Sequence, residues 1–125
     1  MNKIYCIKLN QNHFPLPLEV RWISKNLFET LQPFRYYRDN GEVITVKTGF
    51  ITDFGSKPAI TWILVGSPTD EGGPAYVIHD FLCEYATWGH AKTDRIFLEA
   101  LRDSEVSYLK RTLMYWAVKV WHIFH

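Results

Sequence analysis

Residues 77–85, VIHDFLCEY, place an imidazole and a carboxylate, His79 and Asp80, side by side in a stretch that otherwise reads as the apolar face of a helix. A second carboxylate, Asp94, lies three residues before Phe97 and seven before Leu101, so on a helix it shares the face that those two side chains bury. A carboxylate on the buried side of one helix needs a partner, and His79 on a neighbouring helix supplies one. Bonded to one ring nitrogen, Asp94 would fix the tautomer of His79 and raise its basicity, leaving the other nitrogen to take a proton from water. Asp80, ~100° further round the helix, would point beside the imidazole, where a hard cation such as calcium binds with loop oxygens. Asp53, in the turn ITDFGSKP, offers one such oxygen, and Gly55 and Pro58 let that backbone turn sharply.

Each of these residues also has a purely structural reading. A buried His and Asp can simply satisfy each other and pin two helices together. Asp53 can bond the backbone of its own turn or cap a short helix after Pro58. His90 reads as a loop residue. Cys83, four residues after His79, has the spacing for a Cys–His pair, but no oxyanion donor accompanies it and a packed core thiol is the better reading.

The elements that must position these groups divide the chain in two. Residues 1–50 read as β-rich: KIYCIKL is a strand, and Asp39-Asn40-Gly41 separates FRYYR from EVITVKTGF as a tight hairpin turn. PLPLEVRWISKNLFETLQP is expected to hold a further strand and a short helix. Residues 51–73 form a motif loop, and residues 74–124 are helical. The first helix runs from about Pro74, suited to a first turn, to Ala86, with Ile78, Phe81, Leu82 and Tyr85 as its buried stripe. TWGH breaks it, and a second helix follows from about Lys92 to Arg102, burying Ile96, Phe97, Ala100 and Leu101. His79 and Asp94 match better in axial register if this helix begins nearer His90. The last helix, Glu105 to His122, carries Leu109, Leu113, Trp116, Ala117, Val120 and Phe124 on one face, yet Met114, Val118 and Trp121 on others, so it is buried on several sides or docks onto a partner or a lipid surface.

With 125 residues the chain is one domain, and its 47% hydrophobic and 16% aromatic content excludes global disorder. Fourteen basic residues against 13 acidic ones, with no basic block, leave no nucleic-acid footprint. Cys6 and Cys83 match neither a Cys-x-x-Cys motif nor a zinc knuckle. The N-terminus lacks a signal-peptide pattern, and the longest apolar run, AITWILVG, is far below the ~20 residues of a membrane span. The expected location is the cytoplasm in which the chain is made.

The ordered segments TDFGSKP, HDFLCEY, TDRIFLEAL and TLMYWAVKV resemble an uncharacterised domain family of tailed bacteriophages and prophages, with the pattern T-D-F-x-S-x-P, H-D-x-L-Y, A-D-x-I-F-x-E-A and a Met-Tyr helix. Matching positions are Thr52, Asp53, Phe54, Ser56 and Pro58; His79, Asp80 and Leu82; Asp94, Ile96, Phe97, Glu99 and Ala100; Met114 and Tyr115. Cys83, Lys57 and Thr93 depart from the pattern, and no ionisable group of it is lost. The resemblance implies a phage origin, a host cytoplasm and then a virion as locations, and Thr52 and Ser56 as supporting residues. A weaker similarity, at the level of the site, is to the His-Asp helix of secreted phospholipases A2, which implies His79 as base, Asp80 as calcium ligand and Asp94 as orienting carboxylate. The disulfides and glycine-rich calcium loop of those enzymes are absent from the sequence.

Together these readings predict an α+β domain, a small antiparallel sheet from the N-terminal half packed on three C-terminal helices. Two functions follow. One is a metal-assisted hydrolase of cell-envelope material, phospholipase-like or peptidoglycan-directed, with His79 and Asp94 catalytic, Asp53 and Asp80 on a divalent metal, and calcium favoured over zinc. The other is a non-enzymatic virion or assembly protein whose aromatic last helix meets phage structural proteins or a second copy of the chain.

Overall fold

The computed structural model describes residues 3–7, 11–25, 27–54 and 72–124. Its architecture is α+β, with an N-terminal half of antiparallel strands and a C-terminal half of three helices. The strands are β1 (Ile4–Ile7), β2 (Leu18–Ser24), β3 (Leu27–Thr30), β4 (Phe34–Tyr37), β5 (Val43–Val46) and β6 (Ile51–Thr52). They form two sheets rather than one, a four-stranded sheet in the order β1-β2-β3-β6 and the separate hairpin β4-β5. The helices are α1 (Gly73–Tyr85), α2 (His90–Asp103) and α3 (Tyr108–Phe124).

The segment expected to contain a short helix is instead the β2-β3 hairpin. Its second arm alternates with a period of two, Phe28 and Thr30 buried and Leu27 exposed, and the pairing Trp22↔Phe28 and Val20↔Thr30 uses that alternation. The Asp39-Asn40-Gly41 turn forms as expected: Arg38 and Glu42 are joined by a backbone bond of 2.9 Å, and Gly41 takes a φ of 91°, the left-handed conformation a three-residue hairpin loop requires. One hydrophobic core spans both halves of the chain. Phe14 stacks on Phe34 and Tyr36 at its strand end, and Ile96, Phe97, Ala100 and Leu101 of α2 are all buried as their spacing predicts.

Four helix boundaries or faces differ from expectation. The second helix starts at His90, after Gly89 at a φ of 90°, which brings Asp94 one turn into the helix and level with His79. Tyr85 leaves the core stripe and is exposed, its ring against Phe81 and Phe50. The last helix begins at Tyr108, because Glu105 sits at a φ of 66° in the preceding turn and Ser107 Oγ accepts from Lys110 N. More consequentially, that helix is rotated: Met114 and Val118 are its buried residues, and Leu109, Leu113, Trp116, Val120 and Phe124 are exposed. Met114 packs closely on the start of α1, where a Cβ added to Gly72 would lie 2.8 Å from Met114 Cε, the flexible end of that side chain.

A polar network fixes α2 against the β4-β5 hairpin. The buried Tyr36 hydroxyl donates to Asp103 Oδ2 at 2.5 Å and lies 3.1 Å from Glu99 Oε1. Arg38 grips Glu99 through Nε and Nη2, and Arg102 joins Asp103 to Asp39. Desolvation and the two acceptor carboxylates push the Tyr36 phenol far up, so it is a donor throughout the accessible range.

Candidate functional site

The buried face of α1 carries His79 and the first third of α2 carries Asp94, and the connection 86–89 folds α2 back so that the two meet. His79 Nε2 lies 2.8 Å from Asp94 Oδ1. The second oxygen of the same carboxylate is also used: His122 Nδ1, from the end of α3, lies 3.0 Å from Asp94 Oδ2. An ionised carboxylate only accepts, so His79 carries its proton on Nε2 and His122 on Nδ1. In the neutral ring of His79 the lone pair then lies on Nδ1. The rings of His79 and His122 stack with centroids 5.5 Å apart, and His90 stacks on His122 at 3.9 Å.

Burial and hydrogen bonding compete at this cluster. Desolvation lowers the pKa of His79, outweighing the attraction of Asp94, so the imidazole is neutral at neutral pH. For Asp94 burial pushes upward, but the hydrogen bonds from His79 and His122 win and hold the carboxyl below its ordinary value. The result is a neutral base held by a charged orienting group, which is the protonation state a general base needs.

Asp80 is positioned separately. Thr52, at the end of β6, is buried and donates its hydroxyl to Asp80 Oδ2 at 2.6 Å while accepting from Phe54 N at 3.1 Å. One threonine thus ties the strand end, the turn after it and α1. Phe54 takes a φ of 52°, unusual for a side chain of its size, and its buried ring meets Phe28 edge-on at 5.0 Å. The strain is offset by packing that fixes the turn carrying Asp53. A cavity of about 190 Å³ is lined by Asp53, His79, Asp80, Cys83, Trp121 and His122, together with Tyr76 and Val118. Asp53, Asp80 and Cys83 also border a second hollow of about 400 Å³ beside β6.

The four ionisable residues singled out in the sequence are therefore brought together: His79 bonds Asp94, and His79, Asp80 and Asp53 share one cavity wall. Thr52 takes a supporting position against Asp80. Ser56, Pro58 and the turn's glycine lie outside the described residues. Cys83 is not the packed core residue expected; it is exposed, with its sulfur 3.7–3.8 Å from both ring nitrogens of His79. Desolvation of the sulfur, with Asp80 and Asp94 nearby, pushes its thiol up to about 12, so it is no thiolate nucleophile at neutral pH. His122 was not legible as a site residue, because its position depends on the rotation of α3, which the sequence leaves open.

The cavity wall carries two kinds of donor, and among the described residues only the second has its ligand atoms gathered. Asp53 and Asp80 supply the hard oxygens that calcium takes. One ligand atom each from His79, Cys83 and His122 lie within 4.8 Å of one another, a nitrogen and sulfur set of the kind zinc takes, with Asp94 as the second carboxylate-to-histidine layer.

A protein of Sinorhizobium fredii (strain NBRC 101917 / NGR234), Uncharacterized protein y4jT, is 37% identical over 94 residues, which are 74% of this chain and 28% of that protein. The chain thus spans little more than a quarter of that relative. No solved structure matches. The model of the family described as "Protein of unknown function (DUF1353)" matches residues 28–118, a span that contains Thr52, Asp53, His79, Asp80 and Asp94 and stops short of His122. The chain belongs to the DUF1353 family.

Proposed function

We propose that the domain is a hydrolase of cell-envelope material in which His79 is the general base, Asp94 its orienting carboxylate, and Asp53 with Asp80 the seat of a divalent cation, calcium before zinc. The observation that carries this reading is the use of both Asp94 oxygens, one of them by Nε2 of a neutral His79 whose Nδ1 takes no part in that bond, in a residue that lines a cavity walled by two further carboxylates. In the reaction, His79 Nδ1 takes a proton from water as the water oxygen attacks an ester or amide carbonyl carbon. The bond from that carbon to the leaving oxygen or nitrogen then breaks, and the proton passes from His79 to the leaving group. A bound cation would supply positive charge for the oxyanion that forms. The phage or prophage setting belongs to the same proposal, since envelope polymers and lipids are what such a chain meets.

The test is hydrolysis of dispersed short-chain phospholipid and of purified peptidoglycan by the full chain, with calcium, with zinc and with chelator. A metal-dependent release of product from one substrate that falls by roughly 100-fold or more in His79→Gln, the scale of a lost general base, supports the assignment. Cys83→Ala should retain activity. No product from either substrate, or loss of activity in Cys83→Ala with His79→Gln active, overturns it.

A further inference from the structure

The feature that the proposed chemistry leaves unused is the outer face of α3. Leu109, Leu113, Trp116, Val120, Ile123 and Phe124 are all exposed, from 42% for Leu113 to 76% for Phe124. At ~100° per residue they fall within one stripe of about 100°, the width of a buried helix face, yet here it looks outward. The charges on this helix have one sign. Tyr108–Phe124 contains Lys110, Arg111 and Lys119 and no aspartate or glutamate. On the same helical projection Lys110 and Lys119 lie about 90° to either side of the stripe's centre, one along each edge. Lys119 extends along the Tyr115 ring, with its Nζ 5.6 Å from the ring centre, and Lys110 is exposed.

A second observation lies along one edge of the stripe. A hollow of about 500 Å³ runs between α2 and α3 and is lined by Arg95, Arg102, Arg111, Tyr108 and Trp116 among others. Its one carboxylate, Glu99, is held by Arg38 from the strand side. Arg102 is shared with Asp39 and Asp103, whereas Arg95 makes no ion pair among the described residues. Trp116 belongs to both features, so an arginine-lined trough adjoins an apolar stripe edged by lysines. Glu105, just before the helix, is the nearest acid in the chain to its N-terminal end.

We infer that α3 is an interfacial helix that seats the domain on an anionic phospholipid surface, with the apolar stripe in the acyl boundary, Lys110 and Lys119 reaching up to the headgroups, and the Arg95–Arg111 trough receiving a lipid phosphate. A partner protein covering such a stripe would be met by hydrophobic contact alone; the uniformly cationic rim is complementary to lipid phosphate. Lying on the surface is also the mode the helix length permits, because no helix among the described residues is long and apolar enough to cross a membrane. His122, Trp121 and Val118 line the site cavity from the opposite side of the same helix. Docking therefore leaves the proposed hydrolytic site uncovered, and it stands whether or not that site is catalytic.

The test is co-sedimentation of the full chain with vesicles of phosphatidylcholine and with vesicles containing phosphatidylglycerol, without reference to any activity. The expected result is binding to the anionic vesicles that weakens as salt rises, at least about tenfold loss in Lys110→Glu/Lys119→Glu, and loss in Val120→Glu. Circular dichroism and thermal unfolding should be unchanged in these variants, because all three positions face solvent or the rim. Equal binding to neutral and anionic vesicles, or binding indifferent to Val120→Glu, overturns the inference. So does a stable dimer in lipid-free size exclusion that Val120→Glu converts to monomer, since the stripe would then belong to a second copy.

Discussion

Asp94 is the residue on which the site turns. A buried carboxylate with one partner would need only to be satisfied, but Asp94 uses both oxygens, and each bond decides which nitrogen of a histidine is left to act. Two depressed pKa values then set a pH dependence. His79 is lowered in the folded chain by burial, so between its unfolded value of 6.5 and its lower folded value the unfolded chain binds the extra proton, and stability falls as pH falls through that window. Asp94 is lowered too, and its contribution, present above 3.8, is lost further down. In chelator, the urea midpoint should therefore decline on acidification from about pH 7 to about pH 5, and His79→Gln should flatten that decline. A midpoint level over this range in the parent chain would show that His79 is not held neutral. The pairing of His79 with Asp94 was legible because an ionisable residue on an apolar helical face must find a partner. The second bond was not legible, since a histidine near the end of a helix that is apolar almost all round gives no hint of its face.

At the scale of elements, periodicity served where one face alone is apolar and failed where it is not. The hairpin at Asp39-Asn40-Gly41 and the buried set of α2 follow from turn chemistry and 3.6-residue spacing. For α3, the sequence offers two apolar faces, and the structure buries the narrower one, Met114 and Val118, a choice that periodicity alone does not make. The β2-β3 hairpin was mistaken for strand and helix because NLFETLQ carries both periods, and pairing with β2 decides between them. Helix α2 must hold Asp94 in register, and its far end is anchored by the Tyr36 hydroxyl on Asp103. Tyr36→Phe removes a buried donor and leaves a carboxylate short of a bond, a loss of about 1–3 kcal/mol in urea unfolding. An unchanged midpoint would mean that the network merely decorates the interface.

Over the whole molecule, the strands supply Thr52 and Asp53, α1 supplies His79 and Asp80, α2 supplies Asp94 and α3 supplies His122, so the cluster exists only when both halves of the chain are assembled. A linear reading reached the α+β class and the meeting of His79 with Asp94, while the third helix's contribution needed three dimensions. The same helix divides its two sides between cavity and solvent, which is how one element serves the site and offers a surface. The proposed use of His79 as a base depends on where the histidine protons lie. Nitrogen NMR of the full chain labelled with 15N-histidine, recorded at mildly alkaline pH, reads those positions atom by atom. The expected spectrum has His79 protonated at Nε2 with a bare Nδ1, and His122 protonated at Nδ1 with a bare Nε2; a proton on Nδ1 of His79 would contradict its role as the base.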